Sequence, residues 1–229
     1  MSLNLQDLDR LKKNPETKSA IIEYEALALG ITQEYSDFVS RITHEIDLII
    51  IRLESSRDLY KDQEEDLITD VICMQLQARS IDATHGTHSS GSTDLLVKHG
   101  QCLWIAEAKW WDKTEDALEG MRQLSTRYAS GGDRATSGGV LLYNRTGNLA
   151  NKIKGLKSTY IENRVGEFRD ISVSSCNDSS FAFKTKHKSP ASGLEYEVRH
   201  RALNFYYSPQ DKSGKATRAR RESKRKKRG

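Results

Sequence analysis

The chain is expected to fold as an α/β protein, a mixed β-sheet flanked by helices with an N-terminal helical extension. Three observations predict this class. Apolar residues recur at three- and four-residue spacing over much of the first third and again after residue 114. Between those stretches lies TDLLVK-HG-QCLWIAEAKWW, two strand-like runs joined by a tight turn. A short buried run, VLLY, then follows a further helical stretch, so a helical crossover would deliver a strand parallel to one member of the hairpin.

Residues 1–15 read as a polar lead-in ending at Pro15. From Thr17 to about Tyr60 the pattern is helical, with Tyr35, Phe38, Val39, Ile42, Ile46, Ile49 and Leu53 at helical spacing. This stretch is either a helix packed on the domain or a dimerisation helix, and a homodimer follows from the second option. A further helix is expected from Lys61 to Arg79, with Leu67, Ile68, Val71, Ile72 and Leu76 on one broad face. The segment DATHGTHSSGS reads as a loop. Thr93–Lys98 and Gln101–Trp111 form the hairpin, with the turn at His99-Gly100. Thr114–Tyr128 returns to helical spacing, and a Gly-rich loop precedes the strand Val140–Tyr143. Gly147–Ile161 is a further helix, and Glu167–Ser174, Phe181–Lys186 and Tyr196–Tyr207 are strands. The expected division is a helical extension over 1–60, one α/β domain over 61–210 and a basic tail over 211–229.

Composition bounds the function classes. Of 229 residues, 36% are hydrophobic and 30% charged, as in a soluble globular chain. No apolar run approaches the roughly 20 residues of a membrane helix, and the N-terminus lacks a signal-peptide pattern. Cys73, Cys102 and Cys176 lie far apart without metal-ligand spacing, which fits buried free thiols and a cytoplasmic setting. The net charge of +4 is uneven: residues 215–229 hold nine Lys/Arg and one Glu, leaving the rest of the chain at −4. Such a tail attracts polyanions by counterion release, or merely keeps the chain soluble.

The hairpin carries the chemistry. With an even-numbered loop, Lys98 opposes Gln101, Leu96 opposes Leu103 and Asp94 opposes Ile105. Asp94 then shares a face with Glu107, diagonally placed, and Lys109 follows by alternation. Two acids and a lysine on otherwise apolar strands need partners, because a buried unpaired carboxylate is costly. Either they form a structural acid–lysine pair, or they hold a divalent cation such as Mg²⁺, which takes oxygen ligands and polarises a phosphoryl oxygen. Lys109 would then stabilise charge developing on the reacting phosphate.

Asp94, followed after a short turn by Glu107-Ala108-Lys109 on the next strand, resembles the D…ExK signature of the PD-(D/E)XK phosphodiesterase superfamily. The likeness covers roughly Lys61–Ile161 and departs from the name-giving pattern in having Thr93 before the acid. It implies a restriction-endonuclease-like fold and an Mg²⁺- or Mn²⁺-dependent nuclease. Asp94, Glu107 and the Ala108 carbonyl would serve as metal ligands and Lys109 as a catalytic residue. The substrate would be nucleic acid, DNA before RNA, in restriction, repair or phage defence; the alternative is a catalytically silent nucleic-acid-binding or assembly module. Many members place a further acid on the preceding helix, as a metal or water ligand. Glu64, near the centre of the apolar face, is expected in that place, with Glu65 at its edge. Gln123 resembles a helix glutamine of some members, but its spacing to Tyr128 differs. Trp111, on the Lys109 face, is a candidate for stacking on a base or sugar. His85 and His88 offer too few ligands for zinc.

Overall fold

The computed structural model describes residues 35–88, 92–162, 168 and 170–211, together with 13, 14, 17 and 21. Most of the lead-in, residues 18–20 and 22–34 of the first helical stretch, and residues 212–229 of the basic tail therefore lie outside the described residues. Helix α1 (Tyr35–Ser55) follows its helical spacing and buries one stripe: Phe38, Ile42, Ile46, Ile49, Ile50 and Leu53. A single turn, α2 (Arg57–Tyr60), leads to α3 (Glu65–Gln77), which begins four residues later than expected.

The segment expected as a loop contains β1 (Asp82–Thr84) and one strand of a small ribbon, β2 (Thr87–His88), whose partner is β3 (Ser92–Thr93). The hairpin is β4 (Leu95–His99) and β5 (Cys102–Trp110). Helix α4 (Thr114–Gln123) continues into a π-helical turn over Leu124–Tyr128, then β6 (Ser137–Asn144), α5 (Leu149–Ile161), β7 (Ser172–Ser175), β8 (Ala182–Lys188) and β9 (Glu195–Asn204) follow. Seven strands form one mixed sheet in the order β1-β4-β5-β6-β9-β8-β7. The pairs β5–β6 and β6–β9 are parallel and the others antiparallel.

Two apolar cores sandwich the sheet, as a mixed sheet with both faces covered requires. On one face, α1 and α3 pack on Val97, Trp104, Ala106, Leu141 and Leu203. On the other, α4 and α5 pack on Leu96, Ile105, Val140, Leu142 and Phe183. Helix α1, expected as part of an extension, thus contributes a whole stripe to the domain's own core. Polar anchors hold it there: Asp47 accepts two hydrogen bonds from Arg199 (3.1 and 2.6 Å) and one from Arg201 (2.9 Å) on β9. Glu45 pairs with Arg79 at 3.1 Å, and Glu54 accepts the Asn204 backbone N–H at 2.8 Å. No described helix is long and apolar enough to cross a membrane.

Candidate active site

The β4–β5 hairpin turns on Gly100 and Gln101, with His99 opposite Cys102. Gly100 has φ +56°, a conformation that a residue without Cβ adopts readily. The turn therefore sits one residue later than expected and the register moves by two, so Leu96 faces Ile105 and Lys98 faces Leu103. Because the shift is even, side-chain parity survives. Continued by one residue, this register sets Asp94 directly across from Glu107 instead of on a diagonal.

The ladder itself stops at Leu95, which pairs with Ala106. Beyond it, the β5 edge presents the backbone N–H groups of Ala108 and Trp110, and each needs an acceptor. Asp94 supplies the first: its Oδ2 accepts the Ala108 N–H at 2.8 Å. Glu65 supplies the second: its Oε2 accepts the Trp110 N–H at 2.6 Å. Two carboxylates thus replace the missing strand and converge on the end of β5. In a strand the N–H and C=O of one residue point to the same edge, so the Ala108 carbonyl also faces Asp94.

Lys109 lies between them. Its Nζ is 3.4 Å from Glu65 Oε1, 3.6 Å from Asp94 Oδ2 and 3.4 Å from Glu107 Oε2. Glu107 is 2% exposed, and its Oε1 is buried with no hydrogen-bond partner. Burial, reinforced by the nearby charge of Asp94 and opposed by Lys109, pushes the Glu107 carboxyl up to about 8. Burial also raises Glu65, outweighing Lys109 and the Trp110 N–H. Burial pulls the Lys109 ammonium down, but Asp94, Glu65 and Glu107 together hold it above its usual value.

Helix α4 covers the other side of these residues. It approaches β5 at Gly120, where a Cβ would come within 3.1 Å of Lys109 Cγ and 3.3 Å of Val140 Cγ1. A hydrogen bond between Thr69 and the buried Tyr143 hydroxyl (2.8 Å) pins α3 to β6, one helical turn beyond Glu65.

Asp94, Glu107 and Lys109 are therefore brought together, and Glu64 is not. Glu64 is the exposed N-cap of α3, and Glu65 occupies the place expected of it. The cause is the phase of the helix. Its buried face is Ile68, Thr69, Ile72, Cys73 and Leu76, with Val71 only half-buried. Thr69 belongs to that face because Tyr143 satisfies its hydroxyl, and Glu65 is in phase with Ile68, Thr69 and Ile72.

Trp111 is 1% exposed in the α4–α5 core, so it has no free face for a base. Gln123 is half-buried at the junction of α4 with the π-helical turn. His85 sits 3.7 Å from Asp70, and the side chain of His88 lies outside the described residues. Cys73 and Cys102 are buried free thiols, while Cys176 is half-buried.

The donor set suits a hard divalent cation in part. Two carboxylates and a carbonyl meet at one strand edge, and the unpartnered Glu107 oxygen is an unfilled acceptor. Among the described residues no three His, Cys, Asp or Glu side chains are spaced to hold an ion together. Asp94, Glu107 and the Ala108 carbonyl are thus the residues available, with Glu65 already occupied by Trp110 and Lys109. Comparison with known protein families, with curated proteins and with solved structures found no match.

Proposed function

We propose that this protein is a divalent-metal-dependent nuclease of the PD-(D/E)XK type, hydrolysing nucleic-acid phosphodiester bonds. The carrying observation is that Lys109 stands within 3.6 Å of Asp94 and 3.4 Å of Glu107 at the carboxyl end of a parallel strand, where open α/β sheets place their ligands. The strand order supports the same reading: an antiparallel β1-β4-β5 unit, a helix, then β6 parallel to β5.

Asp94, Glu107 and the Ala108 carbonyl would hold Mg²⁺ or Mn²⁺, which supplies Lewis-acid polarisation of the phosphoryl oxygen and a more acidic bound water. Lys109 stays charged under its three carboxylates and presents an ammonium to the phosphate as charge develops there. Glu65 holds Lys109 in place and ties α3 to the β5 backbone through the Trp110 N–H. Buried Glu107 must give up its proton before it can act as a ligand, so metal binding would release a proton.

A second reading, a catalytically silent nucleic-acid-binding or assembly module of the same fold, draws on one feature: Lys109 pairs with all three carboxylates and offsets part of their charge itself. The discriminating experiment is incubation with supercoiled plasmid, linear duplex, single-stranded DNA and RNA, with and without Mg²⁺ or Mn²⁺. Cleavage that requires the ion and disappears in Asp94→Ala supports the nuclease. No cleavage of any substrate with either ion leaves the silent module.

A further inference from the structure

β5, β6 and β9 run parallel, so their carboxyl ends open on one edge of the sheet, and Lys109, Leu142 and Ala202 form one row across them. The chain leaving β9 continues beyond that row alongside the end of β6. Phe205 donates its N–H to Asn144 O at 2.7 Å, and Tyr206 and Tyr207 follow. Both tyrosines are exposed, 43% and 37%. Tyr206 lies over Gly147, where a Cβ would come within 3.7 Å of its ring. Lys61 Nζ lies 5.4 Å from the centre of the Tyr207 ring. Trp110, next to Lys109 on β5, packs against Phe205 at 6.1 Å and is covered by Arg145 at 4.7 Å. Two strand spacings and four residues of rise put the tyrosines on the order of 15 Å from Lys109.

We propose that Tyr206 and Tyr207, flanked by Lys61, form a stacking platform for an unpaired nucleic-acid strand leading into the Asp94–Glu107–Lys109 centre. The proposal rests on the nuclease reading and specifies the form of its substrate. Aromatic faces receive bases only when those bases are out of a duplex. A duplex is held instead by many phosphate contacts, commonly about six to ten. Among the described residues, Arg145 beside the site is already paired with Asp112 at 2.7 Å and lies near Asp62. Outside residues 215–229 the chain carries net negative charge. Residues 215–229 hold nine Lys and Arg against one Glu. That charge supplies affinity for any polyanion, and the tyrosines select the unpaired one.

The test is fluorescence anisotropy of the full chain in EDTA, with labelled oligothymidylate, oligouridylate and a DNA duplex. Replacing both tyrosines by Ala is expected to weaken binding of both single strands by about tenfold or more while changing duplex binding less than about twofold. Phe at both positions is expected to retain binding and Leu to lose it, which separates stacking from loss of apolar cover. Unchanged single-strand binding, equal loss on the duplex, or full binding by the Leu variant would each overturn the platform. Because EDTA prevents cleavage, this outcome is independent of the nuclease reading, which fails only if no substrate is cut when Mg²⁺ or Mn²⁺ is present.

Discussion

His187 on β8 provides a test of the fold that uses only pH. The ring is 2% exposed, and neither nitrogen has a hydrogen-bond partner. It packs between Phe168 at 4.8 Å and Tyr196 at 5.9 Å. Burial lowers its pKa from 6.5 to about 4. The folded protein therefore accepts the neutral ring, while the unfolded chain takes up a proton below pH 6.5. Stability is fully present above that value and is lost as pH falls toward 4. At pH 5 the unfolded ring is protonated and the folded one is not. The gap of 1.5 pH units is worth about 2 kcal/mol. His187→Phe removes this term without breaking a hydrogen bond, and its slight overpacking costs about 1 kcal/mol at any pH. Urea unfolding of wild type and variant at neutral pH and at pH 5 isolates the effect, because the other titrating groups are common to both. The exception is His200, which burial and, secondarily, His187 hold neutral down to about 3; stacked on Phe183 and 3.0 Å from the Thr185 hydroxyl, it remains buried when His187 is replaced, so its contribution at pH 5 is small. The variant is expected to gain about 2 kcal/mol on wild type between the two conditions. An equal difference at both pH values would refute the argument, since His187 would then titrate as a solvated ring.

Three further outcomes are expected. Lys109→Ala is expected to lower a metal-dependent cleavage rate on the order of 100- to 1,000-fold, and also to lower the melting temperature of the metal-free protein because three carboxylates lose their shared ammonium. Asp94→Ala should act by weakening ion affinity; wild-type-like cleavage by Lys109→Ala would count against the nuclease. Gly120→Ala adds a methyl 3.1 Å from Lys109 Cγ. Displacing the ammonium by a few tenths of an ångström is expected to cost about tenfold in rate, with little change in melting because alanine favours the helix by about 1 kcal/mol. An unaffected rate would show that Lys109 tolerates displacement. Asp47→Ala leaves Arg199 and Arg201, each 5% exposed, without their shared acceptor. The expected loss is about 3 kcal/mol in denaturant unfolding, and a loss under 1 kcal/mol would mean that water or Asp178 replaces it.

Much of this arrangement is legible in the residues, and the misses have specific causes. The period-two pattern of CLWIAEAKW sets Glu107 and Lys109 on one face whatever the turn does. Moving the hairpin turn by one residue left that parity intact, because an even loop shifts the register by two. The helix acid was harder to place. Thr69 has a polar side chain, so apolar spacing alone centres the face of α3 too close to Val71 and points to Glu64. Only the Tyr143 hydroxyl, 74 residues away in sequence, turns Thr69 inward and brings Glu65 into position. Trp111 was misjudged for a related reason. The chain leaves the regular strand at Trp110, and the Trp111 N–H bonds to Tyr143 O at 2.8 Å, placing its indole under α5 beside Lys152. Local pattern fixes which face a strand residue takes; distant partners fix the ends of elements, and the candidate site is built from ends.

That origin also explains the polar character of the site. Asp94 and Glu65 each cap a backbone N–H that the shortened β4 leaves unpaired, so they contribute to folding whatever else they do. Glu107 has no such duty: it is buried, holds one unpartnered oxygen, and is the acid whose charged form the fold resists most strongly. A purely structural cluster gains nothing from that oxygen, because an apolar or amide side chain would fill the place at lower cost. A centre that must receive a cation requires an acceptor left open. The division of labour among the acids, two serving the backbone and one holding an unpartnered oxygen, fits the metal-binding strand edge proposed above.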